Sequence, residues 1–273
     1  MSDSRSALKL LCRKQLHSLI VACLRLRSRP FHIEGQGLVS LVIAPHPDDE
    51  ALGCAVLIHA RRSLGLPVHV LYLTDGAASH PGHPSITPAQ LAVRRKTEAR
   101  AAMRLLGVPD DCLHFAGAAD GRLGRLSSDE TTALLGTIET VFHRVSPTDI
   151  FLPYRYDGSS EHIAAFALVQ RALIALAHRP RIWEFPVWSW WSPRLLLRPL
   201  WSAKRIHRLD TRQLRALKER ALRCYLTQIE PLEPDTAPVL SEGFLKFFTN
   251  FAEYYFETYA DVSPSSSSPA SRS

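Results

Sequence analysis

At 273 residues and 46% apolar content the chain can build one large domain core, and no uncharged apolar run approaches the roughly 20 residues that a bilayer-spanning helix needs. The net charge of +7 is uneven: residues 1–30 hold seven basic side chains (Arg5, Lys9, Arg13, Lys14, Arg25, Arg27, Arg29) against Asp3, a balance of +6, so the remainder is almost neutral and offers no basic face to nucleic acid. Five scattered cysteines without C-x-x-C spacing suggest neither a disulfide framework nor a zinc knuckle, and they fit a reducing, cytoplasmic setting.

Residues 1–34 read as a basic N-terminal segment, with a helix from Ala7 to Leu26 whose apolar positions are interrupted by Lys9, Arg13, Lys14 and Arg25. Such a helix suits either peripheral contact with a membrane surface or packing on its own domain. From residue 35 to 260 the pattern alternates. Strand-like Leu38–Ala44 is followed by helical Ala51–Ser63, and strand-like Val68–Leu73 closes at Thr74-Asp75-Gly76. Thr87-Pro88-Ala89-Gln90 has the pattern of a capping box with proline at the first helical position, and predicts a helix to Leu106. Cys112–Ala116 is a short strand, Ser127-Ser128-Asp129-Glu130 caps a helix through Val145, and Asp149–Tyr154 is the next strand. A helix over His162–His178, a strand over Ile182–Val187, and helices over Arg212–Gln228 and Glu242–Phe256 complete the domain. Residues 261–273, almost all serine and proline, have little to bury and are expected to be disordered.

Strands alternating with helices predict an α/β fold: one Rossmann-like, doubly wound, mostly parallel sheet with flanking helices. In such sheets ligands sit beyond the carboxyl ends of the strands. The loops that fall there begin with Pro45-His46-Pro47-Asp48-Asp49-Glu50, Thr74-Asp75-Gly76 and Arg155–His162. No glycine-rich phosphate loop accompanies them. All five tryptophans lie between Trp183 and Trp201, a cluster that suits stacking on sugar rings, a membrane interface, or a flap over the core.

A histidine and two adjacent acids at the end of a buried strand require pairing or a bound ion. His46 and Asp49, three apart at the start of a helix, place imidazole and carboxylate within reach of one metal, and His162, entering a later helix on the same rim, is the best third ligand. Two histidines and one carboxylate leave positions open for water and substrate, as in catalytic zinc sites; Fe(II) also fits. Asp48 then stands beside the metal as a general base for metal-bound water. The other reading of these acids is capping of the helix N-terminus.

Together these residues resemble the PIG-L/LmbE family of metal-dependent de-N-acetylases over roughly Leu38–Phe256. The family signature (A/P)-H-P-D-D-E stands here as Pro45–Glu50, accompanied by Leu73-Thr74-Asp75-Gly76, by Arg95-x-x-Glu98, and by Lys218-x-x-Ala221-Leu222-x-x-Tyr225-x-x-Gln228. The resemblance implies His46, Asp49 and His162 as metal ligands, Asp48 as general base, and Arg95 at the substrate. By their place on the rim and in the tryptophan cluster, Asp75 of the second rim loop and Trp188 or Trp190, as a stacking wall, are expected to meet the sugar as well. The resemblance also marks a departure. Where members carry H-P-D-H, this chain has Ser159-Ser160-Glu161-His162. Glu161 keeps an acid able to orient a neighbour, and Ser159 replaces a histidine that serves the tetrahedral intermediate, leaving His80, Arg155 or Tyr156 to compensate. The implied activity is removal of the acetyl group from an N-acetylated amino sugar or glycoconjugate. The alternatives are a catalytically impaired member acting as a metal- or carbohydrate-binding module, and an amidase for a larger amide.

Overall fold

A computed structural model describes residues 2–34, 38–250 and 252–258, with the side chains of the first helix described from Gln15 onward. The tail expected at 261–273 lies outside these residues. In chain order the elements are α1 (Ser2–Arg27), β1 (Ser28–Pro30), β2 (Ser40–Ala44), α2 (Asp49–Ser63), β3 (Val68–Thr74), α3 (Pro88–Leu105), β4 (Leu113–Ala118), α4 (Ser128–Val145), β5 (Asp149–Pro153) and α5 (Ser160–Ala172). They continue with β6 (Arg181–Phe185), α6 (Pro193–Leu197), α7 (Pro199–Ser202), β7 (Arg205–Leu209), α8 (Arg215–Leu222), α9 (Leu226–Ile229), α10 (Glu242–Asn250) and β8 (Glu253–Thr258).

One eight-stranded sheet runs in the order β1-β7-β8-β6-β5-β2-β3-β4, with β8 antiparallel to both its neighbours and every other pairing parallel. The mostly parallel α/β sheet is the one expected. Its buried strands are apolar on both faces, and period-two alternation divides them. Leu41, Ile43, Leu71, Leu73, Ile150 and Leu152 face α4 and α5, whereas Val42, Ala44, Val70, Tyr72, Phe151 and Phe185 pack against the helices of the other layer, α2 among them. Both expected capping boxes form, Thr87 with Gln90 and Ser127 with Glu130.

Two expectations for the C-terminal third are corrected. The helix expected over Glu242–Phe256 ends at Asn250, and Glu253–Thr258 is strand β8, inserted between β6 and β7. Glu253-Tyr254-Tyr255-Phe256 is aromatic-rich, and paired on both edges it satisfies its backbone as a strand. The helix expected over Arg212–Gln228 is broken into α8 and α9.

Helix α2 is held by side chains from that same third. Lys218 Nζ donates to the Leu52 carbonyl (2.7 Å) and to Glu253 Oε1 (2.7 Å), while Glu253 accepts from the backbone amides of Val56 (2.9 Å) and Leu57 (3.0 Å). The pair is fully buried, and it reaches into the hydrogen-bond ladder of one helical turn. A turn nearer the helix start, the Phe185 ring lies over Gly53 so closely that a Cβ there would stand 2.1 Å from the ring. No described helix is long and apolar enough to cross a membrane.

Candidate active site

The chain moves outward in one direction from β2 through β3 to β4, and in the other from β5 to β6, so a crevice opens between β2 and β5 at their carboxyl ends. Pro45 and Pro47 bracket His46 there and delay the helix until Asp49. Asp48 sits at φ 143°, ψ −28°, a backbone conformation that side chains rarely adopt. Strain of this kind is worth on the order of 1–3 kcal/mol and gathers at functional sites. Here it is held by hydrogen bonds. The Asp48 amide donates to Glu50 Oε2 (3.1 Å), its carbonyl accepts from Ala51 and Leu52 (3.0 and 2.9 Å), and the His46 amide donates to Asp49 Oδ2 (3.0 Å).

Both imidazoles are pinned at one nitrogen by acids. His46 Nε2 lies 2.6 Å from Glu161 Oε2 and 3.2 Å from Asp120 Oδ1; its Nδ1 is 3.2 Å from Asp49 Oδ2. His162 Nδ1 lies 2.7 Å from Asp157 Oδ2, and its Nε2 is 3.4 Å from Asp49 Oδ1. That Nε2 is buried and finds no hydrogen-bond partner among the described residues. A nitrogen bound to an acid carries the proton, which leaves the other nitrogen as the ligand atom. His46 Nδ1 and His162 Nε2 are therefore directed to the two oxygens of Asp49.

Donors bound to one tetrahedral ion at ~2.1 Å stand about 3.4 Å apart; His46 Nδ1 and His162 Nε2 stand 3.2 and 3.4 Å from the two different oxygens of Asp49, close to that spacing. The orphaned, buried Nε2 and this donor set fit zinc or iron(II). A second group, His46, Asp120 and Glu161, is equally close, but its 2.6 Å contact is that of a hydrogen bond from the His46 ring.

The electrostatics follow from burial and these neighbours. Burial would raise Asp49, yet the charges of His162 and His46 hold it well below the carboxylate range. Burial lowers His162, but the Asp49 charge and the Asp157 hydrogen bond push it up to about 9. A metal ion entering here displaces the proton that Asp49 and Asp157 stabilise on that ring. Burial pushes Asp48 up to about 7, against the pull of Arg95, whose Nη2 is 3.1 Å from Asp48 Oδ2. Arg95 also donates to the Pro47 carbonyl. It is admitted by Gly76, at φ 69°, where a Cβ would stand 2.8 Å from Arg95 Nε. Burial likewise pushes Glu50 up to about 8, and Tyr225 donates to it.

His46, Asp48, Asp49, Arg95, Glu161 and Trp188 line one cavity of about 290 Å³, together with Asp120, Ser79 and Gln228. Trp188 is partly exposed, stacked on Phe244 at 4.9 Å between ring centroids, and its amide donates to Asp157. His162 stands behind Asp49. Other expected site residues lie elsewhere. Ser159 is the N-cap of α5, accepting from the His162 amide at 3.5 Å, and does not line the cavity. Its short side chain at a helix start turns to the backbone. Asp75 accepts from the amides of Ala77 and Asp120 and shapes the loop behind the cavity. Arg155 is bound to Glu184 (2.8 Å), Tyr156 lies under the Arg198 guanidinium (3.7 Å), and buried His80 packs on Ser79.

Sequence reasoning missed Asp120 and Asp157. Asp120 follows β4 by two residues, on the rim where ligands are expected. Asp157 lies in the loop between β5 and α5 and is fixed by the amides of Val187, Trp188 and Ser189 and by the Ser189 hydroxyl.

Residues 41–173 match the family model described as PIG-L: GlcNAc-PI de-N-acetylase. No curated protein matches the sequence. Among solved structures, the chain is similar to N,N'-diacetylchitobiose deacetylase from Pyrococcus horikoshii (TM-score 0.62, 19% identity, covering 90% of this chain and 92% of that one). It is similar also to GalB, the 4-carboxy-2-hydroxymuconate hydratase from Pseudomonas putida (TM-score 0.63, 19% identity, 83% and 98%), and to the zinc-inhibited form of a teicoplanin deacetylase (TM-score 0.57, 17% identity, 82% and 99%). At such identities the likeness is one of fold, and the hydratase among them makes plain that the fold hosts more than one chemistry.

Proposed function

We propose that the protein, whose residues 41–173 match the PIG-L family model, is a metal-dependent hydrolase that removes the acetyl group from an N-acetylated amino sugar, free or within a glycoconjugate, in the cytoplasm. The observation that carries this reading is the convergence of two acid-pinned imidazoles on Asp49, with buried Asp48 beside them in the same cavity. His46, Asp49 and His162 would hold the ion. When bound, zinc or iron(II) supplies Lewis acidity that polarises an amide carbonyl and acidifies water.

The chain's own residues provide the rest. Arg95 occupies Asp48 Oδ2, which leaves Oδ1 to take a proton from the attacking water and return it to the departing amine nitrogen. A carboxyl group near neutrality suits both transfers. Glu161 and Asp120 hold the His46 ring, and Asp157 holds that of His162. Trp188 offers a flat wall for a sugar ring, and Ser79 and Gln228 offer polar groups to its hydroxyls.

The test is acetate release by the zinc-loaded protein from a panel of N-acetylated amino sugars and glycoconjugates. Asp48→Ala should abolish release while zinc stays bound. Undiminished release in that variant overturns the role of Asp48, and liberation of the amine without acetate identifies a larger amide as substrate.

A further inference from the structure

Helix α1 presents two apolar stripes. Ile20 and Leu24 are buried on the body of the domain, and Arg27 donates to the Leu200 carbonyl, which seats the helix against α6, α7 and β7. Leu16, Leu19 and Leu26 form the other stripe. At about 100° per residue they share a face turned roughly 120° from the buried one. They stand in solvent, Leu19 at 61% and Leu26 at 86% exposure. Trp201, next to the Leu200 carbonyl that Arg27 reaches, is 76% exposed.

This apolar run is framed by cations. Arg25, Arg27 and Arg29 are exposed at the C-terminal end of α1 and just beyond it, and exposed Arg198, Lys204 and Arg205 flank Trp201. Over residues 1–30 the charge is +6. Exposed leucine and tryptophan ringed by arginine and lysine is the composition of a helix lying in a lipid headgroup layer, where indoles and leucines enter the acyl boundary and cations meet anionic phosphates. A second copy would set +6 against +6, which disfavours self-association.

We propose that the face formed by α1 and Trp201 docks in the plane of an anionic membrane surface. The proposal is independent of the reaction assigned to the cavity. It is tested by flotation of the full-length protein with vesicles of phosphatidylcholine alone or with about 30% phosphatidylserine. Binding is expected to the anionic vesicles only, and to fall as salt rises from about 0.05 to 0.3 M. Each arginine near such a surface strengthens binding roughly fivefold, so Arg25→Glu with Arg29→Glu should weaken it at least tenfold. Leu19→Glu with Leu26→Glu should weaken it comparably, and Trp201→Ala severalfold. All five positions are exposed, and an unchanged circular dichroism spectrum checks that the variants fold. The proposal is overturned if anionic vesicles are not bound, or if binding ignores the leucine and tryptophan substitutions. A concentration-dependent dimer abolished by those substitutions also overturns it, because the face then belongs to a second copy.

Discussion

Replacing Asp48 with Asn tests the burial of its carboxyl through stability, with no need of a substrate. In the folded chain burial pushes the Asp48 carboxyl up to about 7 from its ordinary 3.8. Between those values the folded state keeps a proton that the unfolded chain has released, so stability falls as pH rises, by about 1.4 kcal/mol per unit. Above about 7 both states are ionised and the loss is complete. From about pH 5 to pH 8 the wild-type chain thus loses about 3 kcal/mol on account of this group. Asparagine does not titrate, so the variant keeps that stability. Its own defect, an Arg95 without its carboxylate partner, is independent of pH and cancels in the comparison. Urea unfolding of both proteins with a chelator present, at the two pH values, measures the difference. A variant-minus-wild-type stability that stays constant with pH, or that moves the other way, refutes a carboxyl raised by burial.

Asp157→Asn removes a charge acceptor from His162 and, through Trp188, from the cavity wall; zinc affinity should drop roughly 10–100-fold by equilibrium dialysis, and unchanged affinity removes Asp157 from the site. Lys218→Met leaves Glu253 buried without its cation and should cost about 3–5 kcal/mol in urea unfolding, with part recovered by adding Glu253→Gln; a loss below about 1 kcal/mol contradicts this. Gly53→Ala drives a methyl group into the Phe185 ring and should destabilise by about 1–3 kcal/mol, most of it recovered by Phe185→Leu.

The half of the site contained in Pro45–Glu50 was legible because its residues are contiguous and follow a strand whose apolar run is unmistakable. His162 was legible from its place after β5 on the same rim. Asp157 was not, because its role depends on amides from Val187 to Ser189, which only the packing of the next strand's loop brings to it. Asp120 differs: the carboxyl end of β4 was readable, but its distance to His46 was not. Ser159 was assigned by position within a motif, whereas its hydroxyl answers a local demand, an unsatisfied amide at a helix start. Strand β8 escaped because the aromatic spacing from Phe244 to Phe256 suits a helix as well as a strand, and only the open edges of β6 and β7 decide between them.

The hold of Lys218 and Glu253 on α2 bears on how the chain can be divided. Asp49 opens that helix, and the groups that fix its next turns come from α8 and β8, well beyond the stretch 41–173. Tyr225, which steadies Glu50, is also outside it. An excised 41–173 fragment would keep every proposed metal ligand and lose the partners that set their helix in register. Catalysis should therefore not travel as a portable cassette: grafting that stretch alone onto another protein would transfer the motif without its geometry, and the transferable unit extends through Thr258.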